Sequence, residues 1–112
     1  MNNSDKAENA YLAAFYGIDV KENERIILKC KTSWCYHFAK EIKGADIKAH
    51  EKVILELKDP QYYYKFARDI AGANVEEHFK VILNSGDKLW LDNFIEKVNY
   101  KNTKVEKWLF YI

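Results

Sequence analysis

Apolar residues recur along most of the chain at the spacing of an α-helix. Tyr62, Phe66, Ala67 and Ile70 fall at positions i, i+4, i+5 and i+8, which form one stripe of a helix with 3.6 residues per turn. Polar residues separate these apolar positions, as expected for a helix that buries one face. The pattern therefore predicts helices and disfavours strands.

The same pattern returns after 28 residues. Residues 31–59 align with residues 59–87 without a gap, and most of the aligned apolar and turn residues are identical. A step of 27 residues towards the N-terminus and a second step of 28 towards the C-terminus give weaker copies. The chain is therefore predicted to be a single domain, residues 1–112, built from four repeat units. The units span about residues 4–31, 32–58, 59–86 and 87–112.

Each unit is predicted to be a helical hairpin. A glycine falls where the first helix would end, at a left-handed position that glycine adopts without steric cost. Two residues later comes an Asp or Asn that is able to cap the next helix. The glycines are Gly17, Gly44 and Gly72, and the capping residues are Asp19, Asp46 and Asn74. One such hairpin cannot bury its apolar stripe alone, so we expect an all-α fold, a short α-solenoid of four stacked hairpins and about eight helices.

One segment resembles a short helical repeat of uncharacterised bacterial and phage proteins. The stretch 66–75 reads Phe-Ala-Arg-Asp-Ile-Ala-Gly-Ala-Asn-Val, and the repeat is often written Phe-Ala-Arg-Asp-(Ile/Val)-Lys-Gly-Ala-(Asn/Asp)-Ile. Residues 38–47 are similar to it as well. Residues 92–104 depart from it, with Tyr100 where glycine is expected. The resemblance implies a helical-repeat fold and no established reaction, so it provides no catalytic residues.

Composition narrows the class of protein. Hydrophobic residues make up 48% and charged residues 31%, which favours a globular chain over a disordered one. The formal net charge of +1 argues against a polycation that coats nucleic acid or an anionic membrane. No apolar run approaches the roughly 18–20 residues of a membrane-spanning helix, and residues 1–6 contain no apolar segment of a signal peptide. We expect a cytoplasmic protein with no membrane contact.

Candidate reactive groups are few. His50 and His78 occupy the same repeat position, but the axes of stacked helices lie roughly 8–10 Å apart and no third ligand is evident. We therefore expect both histidines to pack against neighbouring residues, and we expect neither a metal nor a cofactor. Cys30 and Cys35 are separated by four residues, which differs from the Cys-x-x-Cys of redox pairs, and we expect thiols that are either packed or incidental at the surface. The protein is predicted not to be an enzyme.

Several aromatic residues fall outside the predicted core stripe. If Trp34 and Phe38 face inward, Tyr36 and Lys40 share another face. A solvated face is one interpretation, and a binding surface is the other, since Tyr and Arg are enriched in interface hot spots. The residues predicted for this surface are Tyr36, Lys40, Lys43, Tyr63, Tyr64 and Arg68.

The C-terminal residues predict a second contact surface. An inward stripe leaves Phe110 and Tyr111 at the open end of the stack, and this stripe consists of Val105, Trp108, Leu109 and Ile112. A finished solenoid normally covers such an end with polar residues. Either the last helix is fully tucked in, or this end contacts a partner, and a homodimer through this end is one form of such contact.

Two functional hypotheses follow from the sequence. The first is a non-enzymatic protein-interaction module, in its most concrete form a phage-type inhibitor that binds a host nuclease or defence protein. The alternative is single-stranded nucleic-acid binding, with Tyr36 and Tyr64 stacking on bases while Lys40, Lys43 and Arg68 bind phosphates. No repeat unit is strongly basic, which favours a protein partner over nucleic acid.

Overall fold

The structure, a computed structural model, describes residues 2–99. Seven helices and no strand lie in this part of the chain, so the predicted all-α fold is confirmed. The eighth helix that four hairpins would require was predicted after residue 99, and that prediction lies outside the described residues. The helices are α1 (Asn3–Phe15), α2 (Val20–Cys30), α3 (Trp34–Glu41), α4 (Ile47–Glu56), α5 (Pro60–Asp69), α6 (Val75–Ser85) and α7 (Lys88–Asn99).

Consecutive helices pack in pairs. Helix α1 packs against α2, α3 against α4, and α5 against α6, which are the pairings predicted for the first three hairpins. The first helices of successive hairpins also contact one another, α1 with α3, α3 with α5, and α5 with α7. Residues at equivalent repeat positions therefore lie on neighbouring helices.

The turns within the second and third hairpins have the predicted chemistry. Gly44 and Gly72 have φ angles of +82° and +88°, in the left-handed region that favours glycine. Asp46 and Asn74 then accept hydrogen bonds from backbone N–H groups in the first turns of α4 and α6, at 3.2 Å in both cases. These side chains satisfy amides that would otherwise lack a partner at the helix start.

The turn of the first hairpin differs from this prediction. Asp19 does not cap α2, because its backbone has a φ of +42° and its side chain makes no capping hydrogen bond. An effective N-cap has extended backbone angles, which aim the side chain at the first helical amides. Instead, Asn23 Nδ2 donates to the carbonyl oxygens of Ile18 and Asp19, at 2.9 and 3.2 Å. The turn of the first hairpin is therefore held by Asn23, a side chain of the same hairpin.

The buried face of α3 and α5 is wider than the predicted stripe and differs from it at the first position. Trp34 and Tyr62, predicted to face inward, are only half-buried. The buried residues are Cys35, Tyr36, Phe38 and Ala39 in α3 and Tyr63, Tyr64, Phe66 and Ala67 in α5, together with Ile42 and Ile70, which directly follow the two helices. The two sets are at equivalent repeat positions, so the repeat itself is retained.

The core of the described residues forms two clusters. The smaller cluster joins the first hairpin to α3 and consists of Ala7, Ala10, Ala14, Ile27, Cys30, Phe38 and Ile42. The larger cluster extends from α3 to α7 and includes Ile54, Phe66, Phe79, Ile82 and Phe94. Leu28 is half-buried and packs against both clusters. Three of the seven residues of the smaller cluster are alanines, so it buries less side-chain volume per residue.

A buried polar contact, named here the inter-hairpin clasp, joins the first hairpin to the second. Glu24 Oε2 of α2 accepts hydrogen bonds from the backbone N–H of Asp46, at 2.8 Å, and from His50 Nε2, at 2.9 Å. Lys21 Nζ lies 3.8 Å from Glu24 Oε1 and donates to the carbonyl of Gly44 at 3.4 Å. Two side chains of α2 thus hold the turn and the second helix of the next hairpin.

The clasp recurs between the second hairpin and the third. Glu51 Oε2 of α4 accepts from the backbone N–H of Asn74, at 2.6 Å, and from His78 Nε2, at 2.9 Å. Lys48 Nζ lies 3.4 Å from Glu51 Oε1 and donates to the carbonyl of Gly72 at 3.2 Å. Every partner is the repeat equivalent of its counterpart in the first clasp.

The clasp residues are replaced in α6. Glu76 and Phe79 occupy the positions that correspond to Lys48 and Glu51. Phe79 is buried, and its ring centroid lies 5.7 Å from that of Phe94 in α7. The contact from α6 to the following helix is therefore apolar where the preceding junctions are ionic.

Candidate functional site

The predicted exposure of three tyrosines is wrong. Tyr36 and Tyr63 are each 4% exposed and Tyr64 is 5% exposed, so their rings belong to the core. Helices α3 and α5 each have neighbouring helices on more than one side, which buries a wider arc than a single stripe. Their aromatic rings consequently offer almost no surface to a partner.

The polar atoms around two of these tyrosines form a cross-link between α3 and α5. The Tyr36 hydroxyl donates to Asp69 Oδ2. Arg68 holds the same carboxylate through Nε at 2.7 Å and Nη2 at 2.9 Å, and its Nη1 donates to the Tyr64 hydroxyl at 3.0 Å. The guanidinium carbon also lies 4.9 Å from the Tyr64 ring centroid, within the range of a cation–π contact.

Protonation in this cross-link is fixed by its neighbours. The hydrogen bonds from Arg68 are the largest influence on Asp69 and lower the pKa of its carboxyl, with a further contribution from Tyr36. Burial raises the pKa of Tyr36, and the adjacent Asp69 raises it further. The cluster therefore contains one carboxylate, one guanidinium and the neutral phenol of Tyr36 at neutral pH, and each charge has a partner. These contacts account for Tyr36, Tyr64 and Arg68 as structural residues.

Two other predicted residues remain accessible. Lys40 and Lys43 are exposed and line one groove of about 440 Å³ beside the C-terminal ends of α3 and α5, together with Asp69. Lys40 Nζ lies 5.8 Å from the Tyr36 ring centroid. Phe110 and Tyr111 lie outside the described residues, and their role at the C-terminal end stays a prediction.

A continuous series of aromatic rings crosses from α1 to α3. We name it the aromatic row, and it consists of Tyr16, Phe15, Tyr11, Trp34 and His37. Successive ring centroids are 5.6, 6.0, 5.5 and 4.8 Å apart, and the rings are tilted or edge-on rather than parallel. Such geometry is favourable for aromatic pairs, so the rings support one another at the surface.

The α1 end of the aromatic row is strongly exposed. Tyr16 is 77% and Phe15 51% exposed, and two aliphatic residues beside them in sequence, Leu12 and Ile18, are 44% and 57% exposed. We name these four residues the apolar cluster. Four large apolar side chains exposed within seven residues are unusual for a surface that meets only water, since exposed apolar residues are normally scattered singly.

The packing of α1 explains why these residues face outward. Helix α1 buries Ala7, Ala10 and Ala14, whose small side chains allow it to approach α2 and α3 closely. Leu12 and Phe15 therefore lie on its other sides, whereas Tyr11 packs against Trp34 of α3. Sequence reasoning missed them because the first unit matches the repeat mainly in its second helix, which leaves the register of α1 undetermined. The alternation of buried alanines with bulky apolar residues was the available signal.

The inner part of the aromatic row is uncharged at neutral pH. Burial lowers the pKa of His37, and the nearby Lys40 and Lys65 lower it further, while Glu41 opposes them. Burial raises the pKa of Tyr11, with a smaller contribution from Glu41. His37 and Tyr11 therefore remain neutral rings flanked by charged side chains. This combination of an apolar centre and a charged margin is typical of protein interfaces.

Groups with redox or metal-binding chemistry are packed in the core. Cys30 and Cys35 are buried free thiols, and burial raises the pKa of Cys35 to about 12, which keeps the thiol protonated at neutral pH. The predicted packing of His50 and His78 is confirmed, since both are buried against phenylalanine rings at 4.9 and 5.4 Å. Within residues 2–99, no group of three or more His, Cys, Asp or Glu side chains is placed to hold a metal ion.

Comparisons with known proteins add no functional assignment. No protein-family model, curated protein or solved structure matches the chain. The resemblance to bacterial and phage helical repeats therefore stays a prediction. In the described part of the chain, no helix combines the length and apolar character needed to cross a bilayer.

Proposed function

We propose that the protein is a non-enzymatic interaction module, a short α-solenoid that binds another protein through the aromatic row and the apolar cluster. The observation that carries this proposal is the exposure of Leu12, Phe15, Tyr16 and Ile18 at one end of a continuous series of rings. Aromatic residues are enriched in the binding hot spots of protein interfaces. The more specific hypothesis of an inhibitor of a host nuclease or defence protein rests on the sequence resemblance alone.

Asn23 already holds the turn of the first hairpin, and this favours a binding partner that is not a further repeat unit. In the clasps, the turn of one hairpin is held by a glutamate from the hairpin before it. Asn23 stands at the position of His50 and His78 and bonds to its own turn. The first hairpin therefore lacks the histidine that receives a clasp, and its exposed apolar side chains are available to a different kind of molecule.

A pair of substitutions tests this surface. We expect Phe15→Ser/Tyr16→Ser to weaken binding of the partner by at least about 2 kcal/mol, a factor of roughly 30, because two aromatic anchors are removed. The partner is first trapped from lysate of the native host by a photo-crosslinking amino acid at position 12. Its affinity is then measured by calorimetry for the wild type and the variant.

The matched control is Lys29→Ser/Lys52→Ser, which alters two exposed residues of α2 and α4. It should leave both affinity and the free energy of unfolding unchanged within about 0.5 kcal/mol. Equal affinity of the Phe15/Tyr16 variant and the wild type would refute the proposed surface. Tight, salt-sensitive binding of a fluorescent oligothymidine that matches or exceeds the protein partner would favour the nucleic-acid alternative.

A further inference from the structure

The two clasps place a buried histidine and a buried glutamate together at each of two successive junctions. The distance between the imidazole Nε2 and the carboxylate Oε2 is 2.9 Å for both His50–Glu24 and His78–Glu51. Both histidines are completely buried, and both glutamates are almost so. The same pair of buried titratable groups therefore lies at both junctions.

The hydrogen bonds indicate the protonation state of the imidazoles. Since Nε2 faces a carboxylate, it carries the proton and donates. The other ring nitrogen, Nδ1, is buried in both His50 and His78, and no group of residues 2–99 forms a hydrogen bond with it. A neutral imidazole leaves a bare lone pair there, which costs less than the N–H that protonation would create without an acceptor.

Burial and the neighbouring charges act on the pKa of His50 in opposite directions. Burial is the largest influence and lowers the pKa of His50, whereas Glu24 of α2 and Asp46, which precedes α4, raise it. Lys21 Nζ lies near Oε1 of Glu24, the oxygen that does not bind His50, and offsets part of the charge of that carboxylate. From α3, the apolar ring of Phe38 stacks on the imidazole and provides no compensating charge. The neutral form is the one that this site accommodates.

The second junction is sensitive to protons through its glutamate. Burial raises the pKa of Glu51, but the bonds from His78 and the Asn74 N–H, together with the charge of Lys48, lower it overall. From α5, the ring of Tyr63 lies 6.3 Å from the imidazole of His78. A protonated Glu51 would lose the charge that holds the backbone N–H and the imidazole. Acidification is therefore expected to weaken both junctions.

We propose that the two clasps are proton-sensitive joints, which hold adjacent hairpins together at neutral pH and release them on acidification. The proposal does not depend on the protein partner. His50 contributes stability that is fully present above the unfolded-state pKa of 6.5 and is lost as the pH falls below it towards the lower, folded-state pKa. Glu51 contributes stability that is present above 4.5 and is lost as the pH falls through its folded-state pKa.

The test compares urea unfolding at pH 7.5, 6.5, 5.5 and 4.5 for the wild type and for His50→Gln/His78→Gln. The glutamine amide reaches the Nε2 position and donates to the carboxylate, but it does not titrate. For the wild type, the unfolding equilibrium constant should rise below pH 6.5 by up to roughly tenfold per pH unit for each proton taken up on unfolding. For the double variant, the rise between pH 7.5 and 5.5 should be smaller than that of the wild type, and the remainder comes from His37, whose pKa is also lowered.

The matched control is His37→Gln, which removes the remaining histidine of the sequence and leaves both clasps intact. It should retain most of the wild-type rise. A double variant with the full wild-type rise would overturn the proposal. Nitrogen-detected NMR of the wild type decides the matter if the double variant fails to fold. In the folded protein at pH 6.5, His50 should be mainly a neutral Nε2–H imidazole, and a mainly protonated imidazole at that pH would overturn the proposal.

Discussion

Tyr36 connects two helices through a single hydroxyl group. Its ring is buried beside α5, and its hydroxyl donates to Asp69, which Arg68 also binds through two nitrogens. Hydrogen bonds to a charged group typically contribute about 1.5–3 kcal/mol, more than bonds between neutral groups. Since Arg68 would still neutralise Asp69 without the phenol, the hydroxyl supplies only part of the total.

Replacement of Tyr36 by Phe isolates this hydroxyl. We expect Tyr36→Phe to lower the free energy of unfolding by about 1–2 kcal/mol, because one bond to the carboxylate is lost while the ring remains packed. Urea denaturation at pH 7 measures the change. Tyr62→Phe, at a half-buried ring in the same contact, is the control and should stay within about 0.5 kcal/mol. Equal losses of unfolding free energy for both variants would show that the hydrogen bond from the Tyr36 hydroxyl to Asp69 adds no stability of its own.

At the scale of helices, the clasps add directional bonds to the apolar contact between hairpins. Each clasp glutamate accepts hydrogen bonds from one backbone amide and from one fully buried imidazole, which would otherwise have no acceptor. Removal of the acceptor is therefore more costly than the net value of the two bonds, since both donors lose their partner.

Replacement of Glu51 by Ala measures the second junction. We expect Glu51→Ala to lower the free energy of unfolding by about 3 kcal/mol, through the orphaned donors of Asn74 and His78. Calorimetric or urea unfolding gives the value. Lys52→Ala, at the next and exposed position of α4, should have an effect below about 0.5 kcal/mol. A similarly small effect of Glu51→Ala would mean that the clasp does not stabilise the junction.

The helices and their turns were largely predictable from the sequence, whereas the face that each helix buries was not. Gly72 and Asn74 signal a turn through local backbone chemistry, which does not depend on distant residues. The burial of Tyr36 depends on α5 packing against α3, a contact that the period of α3 does not encode. The predicted capping of α2 by Asp19 is wrong for a similar reason. Asp19 takes a left-handed conformation that its residue type does not require.

At the scale of the molecule, the division of the core into two clusters predicts unequal local stability. Ile27 of the smaller cluster is the repeat equivalent of Ile54 and Ile82 in the larger one, and all three are fully buried. The smaller cluster contains several alanines and so has less apolar surface to bury. We expect the first hairpin to open at a lower free energy than the hairpin of α5 and α6.

Hydrogen exchange with matched substitutions tests this division. Ile27→Ala and Ile54→Ala should each cost about 2–5 kcal/mol, as large-to-small changes in a core do. Under native conditions, Ile27→Ala should reduce protection mainly in α1, α2 and α3. Ile54→Ala should reduce protection across α3 to α6. An identical pattern of lost protection for the two variants would show that the clusters unfold as one unit.

The candidate interaction surface was only partly predictable at this scale. The sequence indicated an aromatic binding surface, but the predicted tyrosines are core residues and the exposed rings lie mainly on α1. The exposure of Phe15 and Tyr16 follows from the alanines on the opposite side of that helix, which determine how α1 sits on its neighbours. Because α1 matches the first helices of the other repeat units only weakly, the sequence did not indicate which of its faces is buried.

The clasp has a direction along the chain, and this limits how the chain could lengthen. The first hairpin supplies Lys21 and Glu24 but has Asn23 where a receiving histidine would stand, and the third receives at His78 but has Phe79 in place of the glutamate. Among the hairpins that the structure describes, the second carries both halves. In-frame duplication of the gene segment for residues 32–58 would therefore give a longer array with matched ionic contacts at each new seam, whereas copying the third hairpin would leave a seam without them.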